Sequence, residues 1–345
     1  MTLDIMKQKR IEWADQVKGL AIILMVFCHA GCTHGNTELL KFIYIFHMPL
    51  FFFVSGYFDK ARSFSVELLK KNFSQLLVPY FFFSACAFSV CWINPYLHPE
   101  TYNTYTLFAA FWHGILGLFI MQDNITPLSY MPYGPLWFLP ALFLVRVLFS
   151  LLCMIRNSIM GGVILIVITC VTVFYCDVNL FSIKSAILAL PIYASGFLFK
   201  KYDLVERVDT NHCAWLFIIG LAYTLTLGMM NSKVSMNRAE YGDNLLMFYV
   251  NAIIATLTLI CYFKAINLDG SKLSYIGSST LSILGIHLYA VIFCTTIAIK
   301  IFHYQTSNIP LWFSLLTMVI GVISGLICNE VLLKYFPVAI GKSRR

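Results

Sequence analysis

The sequence predicts an all-α, polytopic integral-membrane protein of about ten transmembrane helices, with both termini in the cytoplasm. Three observations carry that prediction. Of 345 residues, 59% are hydrophobic and 12% are charged, against about 45–50% and about 25% in soluble domains. So little polar sequence cannot cover soluble cores of that size, which excludes a soluble enzyme, a disordered tail and a nucleic-acid-binding domain. Apolar stretches of about 20 residues, the length that crosses hydrocarbon, recur along the chain, and basic residues gather in short clusters between alternate stretches.

The stretches are 12–33, 42–58, 73–93, 134–151, 159–176, 182–199, 213–230, 244–263, 276–297 and 311–333. The first follows Lys7, Lys9 and Arg10 as a signal sequence would. No small-x-small cleavage site follows it, however, and Asp15 and Lys18 interrupt it, so it reads as an uncleaved span. An eleventh stretch, 106–121, is short and carries His113. Letting it cross would flip everything after it and move most basic clusters outside, so it reads as a re-entrant or interfacial helix on the outer side. With ten crossings, Lys41, Lys184, Lys233, Arg238 and Lys300 fall outside and Lys18 and Arg146 within spans, leaving seventeen of the 24 Lys and Arg inside. The net charge of +8 is therefore topological, with no nucleic-acid partner implied.

No internal repeat is visible and no polar gap is long enough to fold alone, so 1–345 reads as one integral-membrane domain. Eleven cysteines are spread mostly through apolar stretches without paired Cys-x-x-Cys motifs, which indicates neither a disulfide framework nor a zinc ribbon. Cys28, His29, Cys32 and His34 lie close in sequence, but inert buried thiols are the better reading and no metal is expected.

Polar residues at membrane depth are costly and mark candidate sites. On the first span Lys18 and His29 are eleven residues apart, close to three helical turns, so they share a face with about 16 Å between them along the axis. Asp15 is placed to pair with Lys18. Snorkelling would explain Lys18 alone, and a helix–helix hydrogen bond would explain His29 alone. The second span sets His47 at a depth similar to that of His29, and Pro49 below it frees backbone carbonyls, which implies a cavity there. Trp137 opens the fourth span, where an aromatic belt accounts for it, with Pro135 and Pro140 bending the chain. Arg146 lies deep in that span and needs a partner or a polar ligand. His287 sits near the middle of the ninth span. Glu330, near the end of the last, is read as paired with a nearby lysine.

These residues also carry a likeness. A basic residue, ten residues and a histidine stand as Lys18 and His29 inside Asp15-x-x-Lys18-Gly19. Phe46-His47-Met48-Pro49-Leu50-Phe51-Phe52-Phe53-x-Ser55-Gly56-Tyr57 follows on the second span, then Leu136-Trp137-Phe138-Leu139, and late in the chain Ser279-Thr280-Leu281 with His287. The sequence resembles the acyltransferase-3 family of bacterial integral-membrane O-acyltransferases, in the branch of fucose and surface-polysaccharide O-acetyltransferases, from residue 10 to about 335. Two departures stand out. Lys18 replaces the commoner arginine, and Leu142 and Phe143 stand where a larger branch carries a W-S-L-x-V-E-x-Q-F motif, so no glutamate is carried over to assist His29.

The resemblance implies a multi-pass protein of the bacterial cytoplasmic (inner) membrane. It would move an acetyl group from cytoplasmic acetyl-CoA to a sugar hydroxyl of a surface polysaccharide or a lipid-linked oligosaccharide. The cations Lys18, Arg146, Lys70 and Lys71, with Lys60 and Arg62 nearby, would meet the phosphates of the donor. His29 would serve as general base, or as nucleophile through an acetyl-imidazole. His47 would donate to the oxyanion or orient the acceptor, Asp15 would fix Lys18, and His287 and Trp137 would play secondary parts. The segments 94–133 and 231–243, rich in Tyr, Asn and Asp, could bind sugar or be ordinary solvated loops. Two competing readings are a flippase of lipid-linked sugars, which proline-broken helices and midplane histidines would also suit, and a non-catalytic partner in polysaccharide export.

Overall fold

The computed structural model describes residues 11–33, 35–60, 63–97, 134–176, 179–266, 270–305 and 309–342, with side chains left aside at 88–97. Lys7, Lys9, Arg10, His34, Arg62, the 106–121 segment with His113, Arg344 and Arg345 lie outside the described residues. Helices cover all ten predicted stretches: α1 Glu12–His29, α2 Thr37–Tyr57, α3 Val66–Asn72, α4 Val78–Leu97, α5 Phe138–Leu152, α6 Ser158–Tyr175, α7 Ile183–Lys201, α8 Thr210–Leu225, α9 Leu245–Ile266, α10 Lys272–Ser278, α11 Thr280–Lys300 and α12 Leu311–Tyr335. Among the described residues there is no strand, and eight helices are long and apolar enough to cross a bilayer. Of the other two predicted spans, α1 is 18 residues long and carries Glu12, Asp15 and Lys18; α4 continues from α3.

Two boundaries differ from expectation for identifiable reasons. The first span stops at His29, because the chain then turns through Gly31 at φ 76°, a conformation glycine adopts without cost. The third begins earlier, at Val66, where the Ser65 side chain accepts from the Leu68 N–H and caps the helix. α3 and α4 are joined by a π-helical turn, Phe73–Leu77. Such a turn rotates the following residues out of α-helical register, and here it follows Asn72 and includes Gln75.

α1 is the hub, packed against α2, α9, α10, α11 and α12, while α2 lies between α1, α7 and α9. The backbones of α2 and α7 nearly touch. A Cβ on Gly56 would run into the Tyr193 carbonyl, and one on Gly196 into the Phe53 carbonyl, the small-residue contact through which helices approach closely in lipid. At one end of α1, α10 clasps it, since Ser274 Oγ donates to Glu12 at 2.7 Å and Gln16 Nε2 to Ser271 Oγ at 3.3 Å. α6 and α8 lie at the periphery and turn Ile159, Ile166, Trp215 and Ile219 outward, as helices facing lipid do. Polar side chains are thereby concentrated along α1, α2 and the elements around them.

Candidate active site

At the Lys18 end a cavity of about 540 Å³ opens between α1, α2, α3, α5 and α7, lined among others by Lys18, Asp59, Lys60, Lys71, Asn72, Gln75, Arg146 and Tyr193. Lys18 Nζ pairs with Asp15 at 2.7 Å, which fixes the ammonium one turn from its partner. Arg146 Nη1 reaches the amide oxygens of Asn72 and Gln75 at 3.5 and 3.4 Å, long contacts that leave most of its donor fork for another acceptor. The carboxylate of Asp59 accepts from the Tyr193 hydroxyl at 2.6 Å. Four cations therefore line the cavity against one carboxylate.

At the other end of α1 a pocket of about 210 Å³ is lined by Met25, His29, Tyr44, His47, Met48, Trp137, Leu284 and residues 233–238 and 240. His29, the last residue of α1, is exposed within it. The buried His47 bonds through Nδ1 to the Ile43 carbonyl at 3.0 Å. A carbonyl only accepts, so Nδ1 carries the proton and the neutral ring keeps its lone pair on Nε2. His287 is fully buried, with Nδ1 bonded to the carbonyls of Ile283 and Leu284 at 2.9 and 3.1 Å. Its Nε2 has no hydrogen-bond partner among the described residues, and its ring lies 5.3 Å from that of His29, centroid to centroid.

A third space, of about 190 Å³, lies between the two. It shares Lys18, Ser55 and Gln75 with the basic cavity, and Met25, Met48 and Leu284 with the imidazole pocket. Between these ends it is walled by Ile22, Phe51, Leu76, Phe138, Leu139, Leu142 and Leu281. The result is a row of spaces along α1: charged at Lys18, apolar through the middle, imidazole-lined at His29.

Most of the predicted residues meet along that row. Lys18, Lys71 and Arg146 share the basic cavity, as does Lys60; His29, His47 and Trp137 share the imidazole pocket, with His287 against His29. Lys70 does not join them, because it follows the neighbouring helical direction on α3 and is exposed. Trp137 is not a belt residue, being only 7% exposed, with its ring against Phe52 and Phe138 at 6.3 and 6.4 Å. Glu330 is held by the Tyr275 hydroxyl at 2.6 Å, not by a lysine. Neutral His47 presents an acceptor to the pocket, so oxyanion donation would require it to be protonated. Sequence reasoning missed Asp59, Asn72, Gln75, Tyr193 and the loop residues Lys233, Arg238 and Glu240. Asn72 and Gln75 had a signal, as amides entering an apolar run; Tyr193 had none.

The fold and these spaces define a multi-pass membrane protein with a cationic cavity at one end of α1 and an imidazole site at the other. Comparison with protein families makes the class specific. The acyltransferase-3 family model, an acyltransferase domain, matches residues 11–329, and the chain belongs to that family of membrane acyltransferases. No curated protein and no solved structure matches it.

Proposed function

We propose that the chain is an O-acetyltransferase of the bacterial cytoplasmic membrane that moves acetyl from acetyl-CoA to a sugar hydroxyl of a surface polysaccharide or its lipid-linked precursor. The observation that carries this reading is the succession of three spaces along α1, each sharing lining residues with the next. Acetyl-CoA pairs a polyanionic nucleotide with a slender, uncharged arm that ends in the thioester. The cavity of Lys18, Lys60, Lys71 and Arg146 suits the phosphates, and the apolar passage suits the arm. His29, three turns beyond Lys18, then meets the thioester. A flippase would need a route for a hydrated sugar, and the walls around Leu139, Leu142 and Leu281, apolar but for Thr280, offer few hydrogen bonds to one.

In the direct mechanism His29 takes the proton of the acceptor hydroxyl as its oxygen bonds to the thioester carbonyl carbon. The C–S bond then breaks, and the imidazolium returns the proton to the departing thiolate, giving ester and free thiol. His287 is a positioning residue: its unpartnered Nε2 lone pair, in a ring 5.3 Å from that of His29, would accept the N–H of His29 as the rings close up during turnover and turn the other nitrogen of that ring towards the pocket. His47, with Nε2 likewise unprotonated, orients the acceptor hydroxyl.

The test is radiolabelled acetyl-CoA added to purified protein in lipid nanodiscs. The wild type transfers or slowly hydrolyses the acetyl group, and His29→Ala lowers turnover by about 10²–10⁴-fold, the range for loss of a general base, with normal membrane insertion. Wild-type protein that does neither overturns the reading, and full activity in His29→Ala reassigns the base to His47.

A further inference from the structure

The imidazole pocket is lined on one side by residues 233–238 and 240, part of a segment, 231–243, that is a built element. The buried Asn231 accepts from the N–H groups of Asp243 and Asn244 at 2.9 and 3.1 Å and donates to the Tyr241 carbonyl at 2.8 Å, tying the two ends of the loop together. Ser235 and Glu240 exchange a pair of backbone hydrogen bonds, both at 2.9 Å, around a left-handed Ala239. The Asn237 carbonyl receives two donors, Asn179 Nδ2 at 3.0 Å and Ser185 Oγ at 3.1 Å, both from buried side chains at the start of α7. Val234, Met236 and Ala239 are buried beneath it. A solvated loop needs none of this.

The same geometry turns Lys233, Arg238 and Glu240 outward, and all three are exposed while lining the pocket. Neither cation forms a side-chain hydrogen bond or an ion pair with a described residue. Lys41, at the same end of the molecule, is by contrast committed to the Met229 carbonyl at 2.5 Å. Arg238 lines the same pocket as Tyr44, whose ring lies tilted against that of His47 at 4.7 Å between centroids. A cation on a fixed stretch of backbone thus lines the same pocket as an imidazole, at the opposite end of the row from the basic cavity. The charged side chains facing the pocket are Lys233, Arg238 and Glu240, which leave one net positive charge.

From these observations we propose that residues 231–243 form the acceptor platform and that Lys233 and Arg238 select an acceptor carrying an oxyanion near the hydroxyl to be acylated. This rests on the acyltransferase reading above and narrows its substrate class. The planar fork of Arg238 matches a carboxylate or phosphate edge, the Lys233 ammonium adds a second charge, and Glu240 accepts hydroxyl hydrogens of the sugar. Two sources supply such an oxyanion: the carboxylate of an acidic sugar, and the phosphate linking a sugar to its lipid carrier.

The experiment compares three acceptors with acetyl-CoA and purified protein in neutral-lipid nanodiscs: a neutral methyl glycoside, the corresponding methyl uronide, and the same sugar on a polyprenyl pyrophosphate. At low salt the wild type favours at least one charged acceptor over the neutral one by tenfold or more in kcat/KM, and the preferred one identifies the source. The preference shrinks as salt rises, as screening of an exposed pair requires. Lys233→Gln with Arg238→Gln raises KM for the charged acceptor about tenfold, and Arg238→Lys restores part of the loss. Equal use of all three acceptors by an active wild type, or a preference that survives in the double variant, overturns this inference alone. Wild-type protein that fails to turn over acetyl-CoA overturns the acyltransferase reading, and this inference falls with it.

Discussion

Asp59 shows how much one side chain does in a cationic cavity. Left free, its carboxylate would compete with the donor phosphates for Lys60, Lys71 and Arg146, which line the same space. The Tyr193 hydroxyl, at 2.6 Å, holds it. A hydrogen bond to a charged group is worth about 1.5–3 kcal/mol, so its loss is a matter of at least tenfold. Tyr193→Phe releases the carboxylate and is expected to raise KM for acetyl-CoA by about tenfold with little change in kcat. Asp59→Asn removes the competing charge and is expected to lower it several-fold. Initial-rate kinetics on both variants check the sign, and a KM that moves the same way in both refutes the competition. Asp59 was legible in the sequence only as a charge after the second span; its partner lies 134 residues away in sequence, a separation that local pattern does not register. Lys18 and His29 were legible because helical spacing alone sets them on one face, and His47 because it falls at matching depth on the next helix. His287 was visible as a buried imidazole, but its place against His29 needed the packing of α11 on α1.

At the scale of elements, the glycines separate contacts from spacers. Gly196 on α7 faces the Phe53 carbonyl of α2 with no room for a methyl group, whereas Gly162 on α6 has nothing within 4 Å of the position a Cβ would take. In lipid, close backbone approach supplies much of the association between helices, so widening the α2–α7 contact costs stability and also shifts Tyr193 and Ser55, which line the donor cavity. Gly196→Ala is expected to lower the thermal midpoint by several degrees and to reduce acetyl-CoA turnover. Gly162→Ala should leave both unchanged or raise the midpoint slightly, because alanine is the better helix former by about 0.8–1.0 kcal/mol at an open helical position. Thermal denaturation of the two variants in the same detergent decides the matter, and equal midpoints would show that the α2–α7 contact is not what holds the cavity together. Ten helices could be predicted from hydropathy, but which pairs touch could not, since Gly56, Gly162 and Gly196 read alike in sequence. The π-helical turn at Phe73–Leu77 was equally hidden, because residue preferences for it barely differ from those of an α-helix.

For the whole molecule, the row of spaces along α1 has a direction, and charge decides which way it points. Lys60, Lys70, Lys71, Lys200, Lys201, Arg207, Lys264, Lys272 and Lys334 lie in connections or near helix ends on the Lys18 side, while Lys41, Lys184, Lys233, Arg238 and Lys300 do so on the His29 side. Short cytoplasmic loops carry the excess of Lys and Arg, so the orientation we propose opens the basic cavity to the cytoplasm and turns residues 231–243 outward. The proposed function requires the same orientation, because a polyanionic donor made in the cytoplasm cannot cross the hydrocarbon core to reach cations outside. Only the thioester end of the arm would travel to His29, and acceptor and donor would then meet from opposite faces. Lys70→Cys and Lys233→Cys test this directly, since both side chains are exposed and stand on opposite sides. In right-side-out vesicles, a membrane-impermeant maleimide is expected to label the cysteine at position 233 and spare the one at position 70, each read against the background from the chain's own thiols. Inverted vesicles should reverse the pattern, and acetyl-CoA added outside should be consumed only by the inverted ones. Labelling of position 70 from outside intact vesicles would turn the molecule over and leave the basic cavity facing a compartment without its donor.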